Sequence, residues 1–183
     1  MKTNTTMTNT KRLVLTAVCI ALCIVLPMAF HSIPNGGSIM LPMHIPVLLC
    51  GMMCGAPYGA LCGLLGPMLS GILTSMPPAA VMPGMMVECA VYGLVTGVML
   101  RRVHTGKLYT DLYVSLITAM LLGRVVSGIA KALIFQAGKY TMAAWVTASF
   151  VTALPGIVLQ LVAVPAIVYY LTRAGLLPQR YPA

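Results

Sequence analysis

Residues 40–54 read MLPMHIPVLLCGMMC, a run in which His44 is set among apolar side chains between Pro42 and Pro46. Read outward, the apolar character does not stop at the ends of this run. The whole chain of 183 residues is 60% hydrophobic and 7% charged, with a mean hydropathy of +0.97, far from the composition of a soluble domain. An integral membrane protein is the reading, and a spanning helix needs about 20 apolar residues, so six spans with tight loops use nearly all of the chain. A single six-helix membrane domain over residues 1–183 is therefore expected, all-α, with residues 1–12 as a polar tail.

The Pro and Gly punctuation places the six spans. After MKTNTTMTNTKR an apolar run covers residues 13–30, and with no small-x-small cleavage pattern behind it this run reads as a retained span. HSIPNGG separates it from a short piece over residues 42–54, and GAP at 55–57 turns the chain into a third segment over 58–74, closed by SMPP. A fourth is expected over 79–100, ending at RRVHTGK, and a fifth over 112–135. The sixth, over 146–171, would be kinked by Pro155 and Pro165.

Alternating spans put Lys2, Lys11, Arg12, Arg101, Arg102, Lys107, Arg173 and Arg180 on one side, with Lys139 and Lys131 toward the other. The positive-inside rule makes the first side cytoplasmic, with both termini inside. The net charge of +9 then reflects topology, and no nucleic-acid partner is implied. HSIPNGG, SMPP and the loop near QAGKY face out.

Cys19, Cys23, Cys50, Cys54, Cys62 and Cys89 all lie in apolar segments, where small soft side chains pack; neither a disulfide framework nor a zinc site is expected. Gly51, Gly55, Gly59 and Gly63, and again Gly93 and Gly97, recur at four-residue spacing, which lets helices approach closely.

Chemistry then falls to the few polar groups in the spans: His44, Glu88, Arg124, Lys131 and Gln160. Counted from the outer helix ends, Glu88 is ~14 Å deep and Arg124 ~17 Å, at one level. A buried Glu88–Arg124 pair serves either structure or ligand binding. Arg124, Ser127 or Gly128, and Lys131 share a helical face, a basic stripe suited to an anionic or strongly polar solute arriving from outside. His44 stands at the outer start of the second span, where its ring caps loop carbonyls or reaches the mouth of a pocket.

Enzyme classes find little support. The chain has two acidic residues, Glu88 and Asp111, so no paired carboxylates serve as general acid and base, and no catalytic residue is assigned. There is no H-E-x-x-H cluster and no G-x-x-x-x-G-K-[ST] loop, so a partner must supply any ATP hydrolysis. No cofactor is expected.

The Lys-Arg start, MLPMHIPVLLCGMMCGAPYGALCGLLGPMLSGILTSMPP, MMVECAVYGLVTG and LLGRVVSG together resemble the substrate-binding S component of energy-coupling factor transporters, the bacterial vitamin importers, over nearly the whole chain. The resemblance implies a multi-pass protein of the bacterial plasma membrane that captures a vitamin or vitamin-like precursor from outside. It further implies delivery to the cytoplasm through a transmembrane coupling subunit driven by two ATPases. Its pocket, roofed by the first, third and fifth loops and lined by the outer halves of helices four to six, makes Asn35, His44, Glu88, Arg124, Lys131 and Tyr140 the candidate solute contacts. The family's first helix meets the coupling subunit through A-x-x-x-A, a spacing supplied here by Ala17 and Ala21. Pantothenate, folate, pyridoxine-like or thiamine-precursor compounds, riboflavin and modified bases all fit. The alternative is a stand-alone carrier of a small solute or of nickel or cobalt. Met-His-Ile at 43–45 resembles the metal-binding start of the nickel and cobalt S components, with His31, Met40, Met43 and His44 offering donors, but here the motif is internal and lacks their free amine. A self-sufficient carrier is expected to show inverted repeats, and none is evident.

Overall fold

The structure, a computed structural model, describes residues 7–29, 36–136 and 140–177. Asn35 and His31 lie outside the described residues, as do Lys2, Lys139 and Arg180. The elements are helices: α1 (Asn9–Ala29), α2 (Gly36–Met40), α3 (His44–Cys54), α4 (Ala56–Thr74), α5 (Met82–Arg102), α6 (Leu108–Ala130), α7 (Met142–Val146) and α8 (Leu154–Arg173). Two π-helical stretches continue α6 over Lys131–Phe135 and α7 over Thr147–Thr152. Among the described residues six stretches are long and apolar enough to cross a membrane: α1, α2 with α3, α4, α5, α6 with its π turn, and α8.

The opening run explains its own prolines. Leu41 precedes Pro42, whose ring disfavours the α conformation there, and Leu41 takes a left-handed φ of 49°. The helix breaks at that point and restarts at His44. Pro46 then falls in the first turn of α3, where its missing N–H would have had no helical partner anyway. The second span is therefore longer than its expected 42–54, running over Gly36–Cys54 with a break inside it.

The expected sixth span is corrected more substantially. Pro155 does not kink a helix; it stands in the first turn of α8 and starts it. The chain before it, α7 and its π turn, is a separate short helix with no fully buried residue. Pro165 does lie inside α8.

α3 is the central helix, buried along nearly its full length and touching α1, α4, α5 and α8. Its neighbours come close because glycines meet across the interfaces. A Cβ at Gly93 of α5 would strike the backbone of Gly59 in α4, and one at Gly59 would strike the carbonyl of Gly93. Gly63 meets Cys89 and Gly97 meets Ala56 in the same way, so α4 and α5 pack backbone to backbone. Gly55, at φ 99°, makes the turn between α3 and α4.

The six cysteines are free and buried. Cys50 of α3 sits against Cys19, Cys54 and Cys62, so thiols fill the seam between α1, α3 and α4.

Lys11 Nζ donates to the carbonyl of Leu176 at 2.7 Å, which puts the two described ends of the chain at one end of the bundle. Arg101, Arg102 and Arg173 close α5 and α8 at that same end. There Asp111 accepts from the backbone N–H and the hydroxyl of Thr105 at 2.9 and 2.6 Å, locking the α5–α6 connection.

Candidate functional site

At the other end of the bundle, polar side chains from α3, α5 and α6 meet around Glu88. With α5 beginning at Met82, Glu88 sits about 9 Å along the helix axis, shallower than its expected depth. One turn on, Tyr92 lies on the same face of α5, and its hydroxyl donates to Glu88 Oε1 at 3.0 Å. The same hydroxyl accepts from Arg124 Nε at 3.0 Å. Among the described residues Glu88 and Arg124 make no direct ion pair; a tyrosine hydroxyl joins them. The expectation of a contacting Glu–Arg pair is corrected to a relay of Arg124, Tyr92 and Glu88.

Glu88 has three further neighbours. Ser127 donates to Glu88 Oε2 at 3.3 Å and to the carbonyl of Gly84 at 3.1 Å. Lys131 Nζ is 3.9 Å from Oε2, and His44 Nε2 is 3.8 Å from Oε1. Arg124, Ser127 and Lys131 thus do share one face of α6, turned toward Glu88. His44 does not cap loop carbonyls. Its ring is buried, tilted at 59° to Tyr92 with centroids 5.3 Å apart, and neither ring nitrogen has a hydrogen-bond partner among the described residues.

Glycines make room for this cluster. A side chain at Gly123 would collide with the Tyr92 ring, and one at Gly84 with the stem of Lys131. At Gly128 a side chain would meet the indole of Trp145. That indole turns its N–H edge to α6, donating to the carbonyl of Arg124 at 3.1 Å. Phe150 packs edge-on to Trp145 and sits over the Arg124 guanidinium, 5.6 Å from Cζ to ring centroid. The short α7 segment therefore covers Arg124 with two aromatic rings. Arg124 is 2% exposed, and its Nη1 and Nη2 have no hydrogen-bond partner among the described residues.

Beside the cluster, a cavity of about 310 Å³ is lined by Val125, Gly128, Ile129 and Ala132 on one side and by Tyr140, Thr141, Met142 and Trp145 on the other. Trp145 belongs to both places. Partial burial, and then the negative charge of Glu88, push the Tyr140 phenol above its ordinary range. Gln160 of α8 is fully buried, and neither amide atom has a hydrogen-bond partner among the described residues.

His44, Glu88, Arg124 and Lys131 thus come together, while Tyr140 stands at the neighbouring cavity. Sequence reasoning missed Tyr92, Trp145 and Phe150. The spacing Glu88-x-x-x-Tyr92 was available as a signal for the first, since residues four apart share a helical face. Nothing in the sequence pattern brings Trp145 and Phe150 onto Arg124, because that contact depends on α7 folding back across α6. Ala17 and Ala21 are exposed on α1, on the side away from Thr16, Cys19, Cys23 and Pro27, which pack inward.

Comparison with curated proteins finds no match to this chain. The family model described as ECF transporter, substrate-specific component, matches residues 11–168, a stretch that holds all six spans except the last turn of α8 and the first residues of α1. A buried polar cluster at one end of six membrane-spanning helices and a family match over most of its length lead to one conclusion: the chain belongs to the substrate-specific components of ECF transporters.

Proposed function

We propose that the chain captures a vitamin or vitamin-like precursor outside a bacterial cell and delivers it to the cytoplasm in company with a transmembrane coupling subunit and two ATPases. The observation that carries this is the cluster of Glu88, Tyr92, Arg124, Ser127, Lys131 and His44. Charged groups at membrane depth are costly and tend to mark the path or seat of a solute. Here they gather at the end of the bundle away from the basic residues Lys11, Arg101, Arg102 and Arg173. An excess of Lys and Arg favours the cytoplasmic side, which supports an orientation with both termini inside and the cluster facing out.

In this reading Arg124 forms the floor of the pocket, Lys131 and Tyr140 flank its entry, and Asn35 contributes from the first loop. His44 and Tyr92 position Glu88. The aromatic segment around Trp145 and Phe150 has to shift for a solute to reach the guanidinium, and its slight burial makes that movement inexpensive. On α1, Ala17 and Ala21 form a small-residue strip between Leu13, Val14, Val18, Leu22 and Val25, suited to close packing against a helix of the coupling subunit.

The test separates capture from transport. The purified chain should bind solute with no nucleotide present, whereas accumulation against a gradient should require the ATPase partners. Concentrative uptake with those partners deleted would refute the assignment.

A further inference from the structure

Negative charge is so scarce in this chain that it can be followed group by group. The acidic residues are Glu88 and Asp111. Asp111 is held by Thr105 in the first turn of α6, about 20 Å along the helix axis from Arg124. Glu88 is therefore the one carboxylate side chain near both Lys131 and Arg124. It is engaged by Lys131 at 3.9 Å, by Ser127, and by the Tyr92 hydroxyl that stands between it and Arg124. With histidine counted as neutral, Glu88, Lys131 and Arg124 sum to one positive charge.

The unmatched charge has a location. Nε of Arg124 is bonded to Tyr92, while Nη1 and Nη2 are buried and have no hydrogen-bond partner among the described residues. Phe150 covers one face of the guanidinium, so its free donors point outward in the plane, along the edge that a carboxylate meets with two parallel bonds. A cation buried without an anion is among the most costly arrangements in a protein.

We propose that the missing anion is the solute itself: a small monoanion whose carboxylate takes Nη1 and Nη2 of Arg124, so that the site selects carboxylates over neutral and cationic compounds. The proposal rests on the reading of the chain as a solute-capturing component, and it narrows that reading to one chemical class. A monocarboxylate brings the site to neutrality. A cation would raise its charge to two, and a phosphate dianion would reverse its sign.

The experiment uses the full chain in detergent and matched pairs of probes: nicotinate with nicotinamide, pantothenate with panthenol, biotin with biotinamide, and thiamine as a cation. Calorimetry and thermal shift should find a carboxylate that binds, its neutral counterpart at least about tenfold weaker, as loss of a charge-assisted contact implies. Arg124→Lys, which keeps the charge but not the fork, should lose most of that preference. Equal or tighter binding by a neutral or cationic probe overturns the carboxylate assignment and leaves solute capture standing. If no probe binds, the small molecule that co-purifies from cells, identified by native mass spectrometry, decides: a carboxylic acid supports the proposal and a neutral or cationic compound overturns it. A folded chain that binds no probe and carries no molecule from cells refutes solute capture, and the carboxylate assignment falls with it.

Discussion

Replacing Tyr92 with Phe removes one oxygen and little else, since the ring keeps its place against Gly123. That oxygen accepts from the Arg124 guanidinium and donates to the Glu88 carboxylate, each at 3.0 Å. Glu88 retains Ser127 and Lys131. The Arg124 guanidinium keeps the Phe150 ring over its face but no hydrogen bond, because Tyr92 is its one hydrogen-bond partner among the described residues. A buried charged donor left unpaired costs about 2–3 kcal/mol. For a chain of this size that corresponds to a fall in Tm of about 5–10 °C, read by thermal unfolding of the purified protein in detergent without solute. The same substitution in an Arg124→Met, Glu88→Gln background, where no charge depends on the hydroxyl, should cost less than about 1 kcal/mol. An equal cost in both backgrounds, or none in the wild type, would refute the relay.

Other outcomes follow from the packing. Ala17→Leu or Ala21→Leu should abolish uptake in cells while leaving solute binding to the isolated chain intact; wild-type uptake by both would remove α1 as the docking surface. Gly93→Val drives a side chain into the backbone of Gly59 and should destabilise the bundle by about 1–3 kcal/mol or more, whereas Gly37→Ala, with nothing nearby, should be close to neutral in thermal unfolding. Trp145 is the single tryptophan, so Gly128→Val, which evicts its indole from α6, should shift the emission of the protein toward that of a more exposed ring. Unchanged emission would contradict the seating of α7 on α6.

Much of the architecture was legible because a membrane leaves few choices: long apolar runs must be helices, and Pro and Gly mark their ends. The number of spans follows from that alone. Proline was the source of error, since a residue without an N–H is compatible both with a kink inside a helix and with the first turn of a new one. The sequence pattern suggests a kink at Pro155, and in the structure Pro155 stands in the first turn of α8. For the site, counting residues along each helix sets Glu88 and Arg124 at one level; Glu88 lies shallower than that count, and one tyrosine hydroxyl bonds to both side chains. The count gave no account of what lies between them. Tyr92 counts as apolar in a hydropathy pattern although its hydroxyl is the joint of the cluster. The aromatic cover of Trp145 and Phe150 was illegible for a different reason: it comes from a short helix that the sequence pattern merged with the sixth span.

The central claim is that the buried cluster on α5 and α6 holds a solute and does not exist only to stabilise the bundle. Arg124→Met with Glu88→Gln removes the carboxylate and the fully buried guanidinium together and leaves Lys131, whose side chain is 20% exposed, as the remaining cation of the cluster, so the chain is expected to remain folded. Native mass spectrometry of the wild-type chain purified from cells, beside the double variant, tests the claim most directly. The account predicts a small molecule on the wild type and its loss from the folded variant, with an affinity for the identified compound lower by at least about 2 kcal/mol in calorimetry. A folded double variant that still carries the same molecule at the same affinity would contradict it and leave Glu88, Tyr92 and Arg124 as structural elements of the bundle.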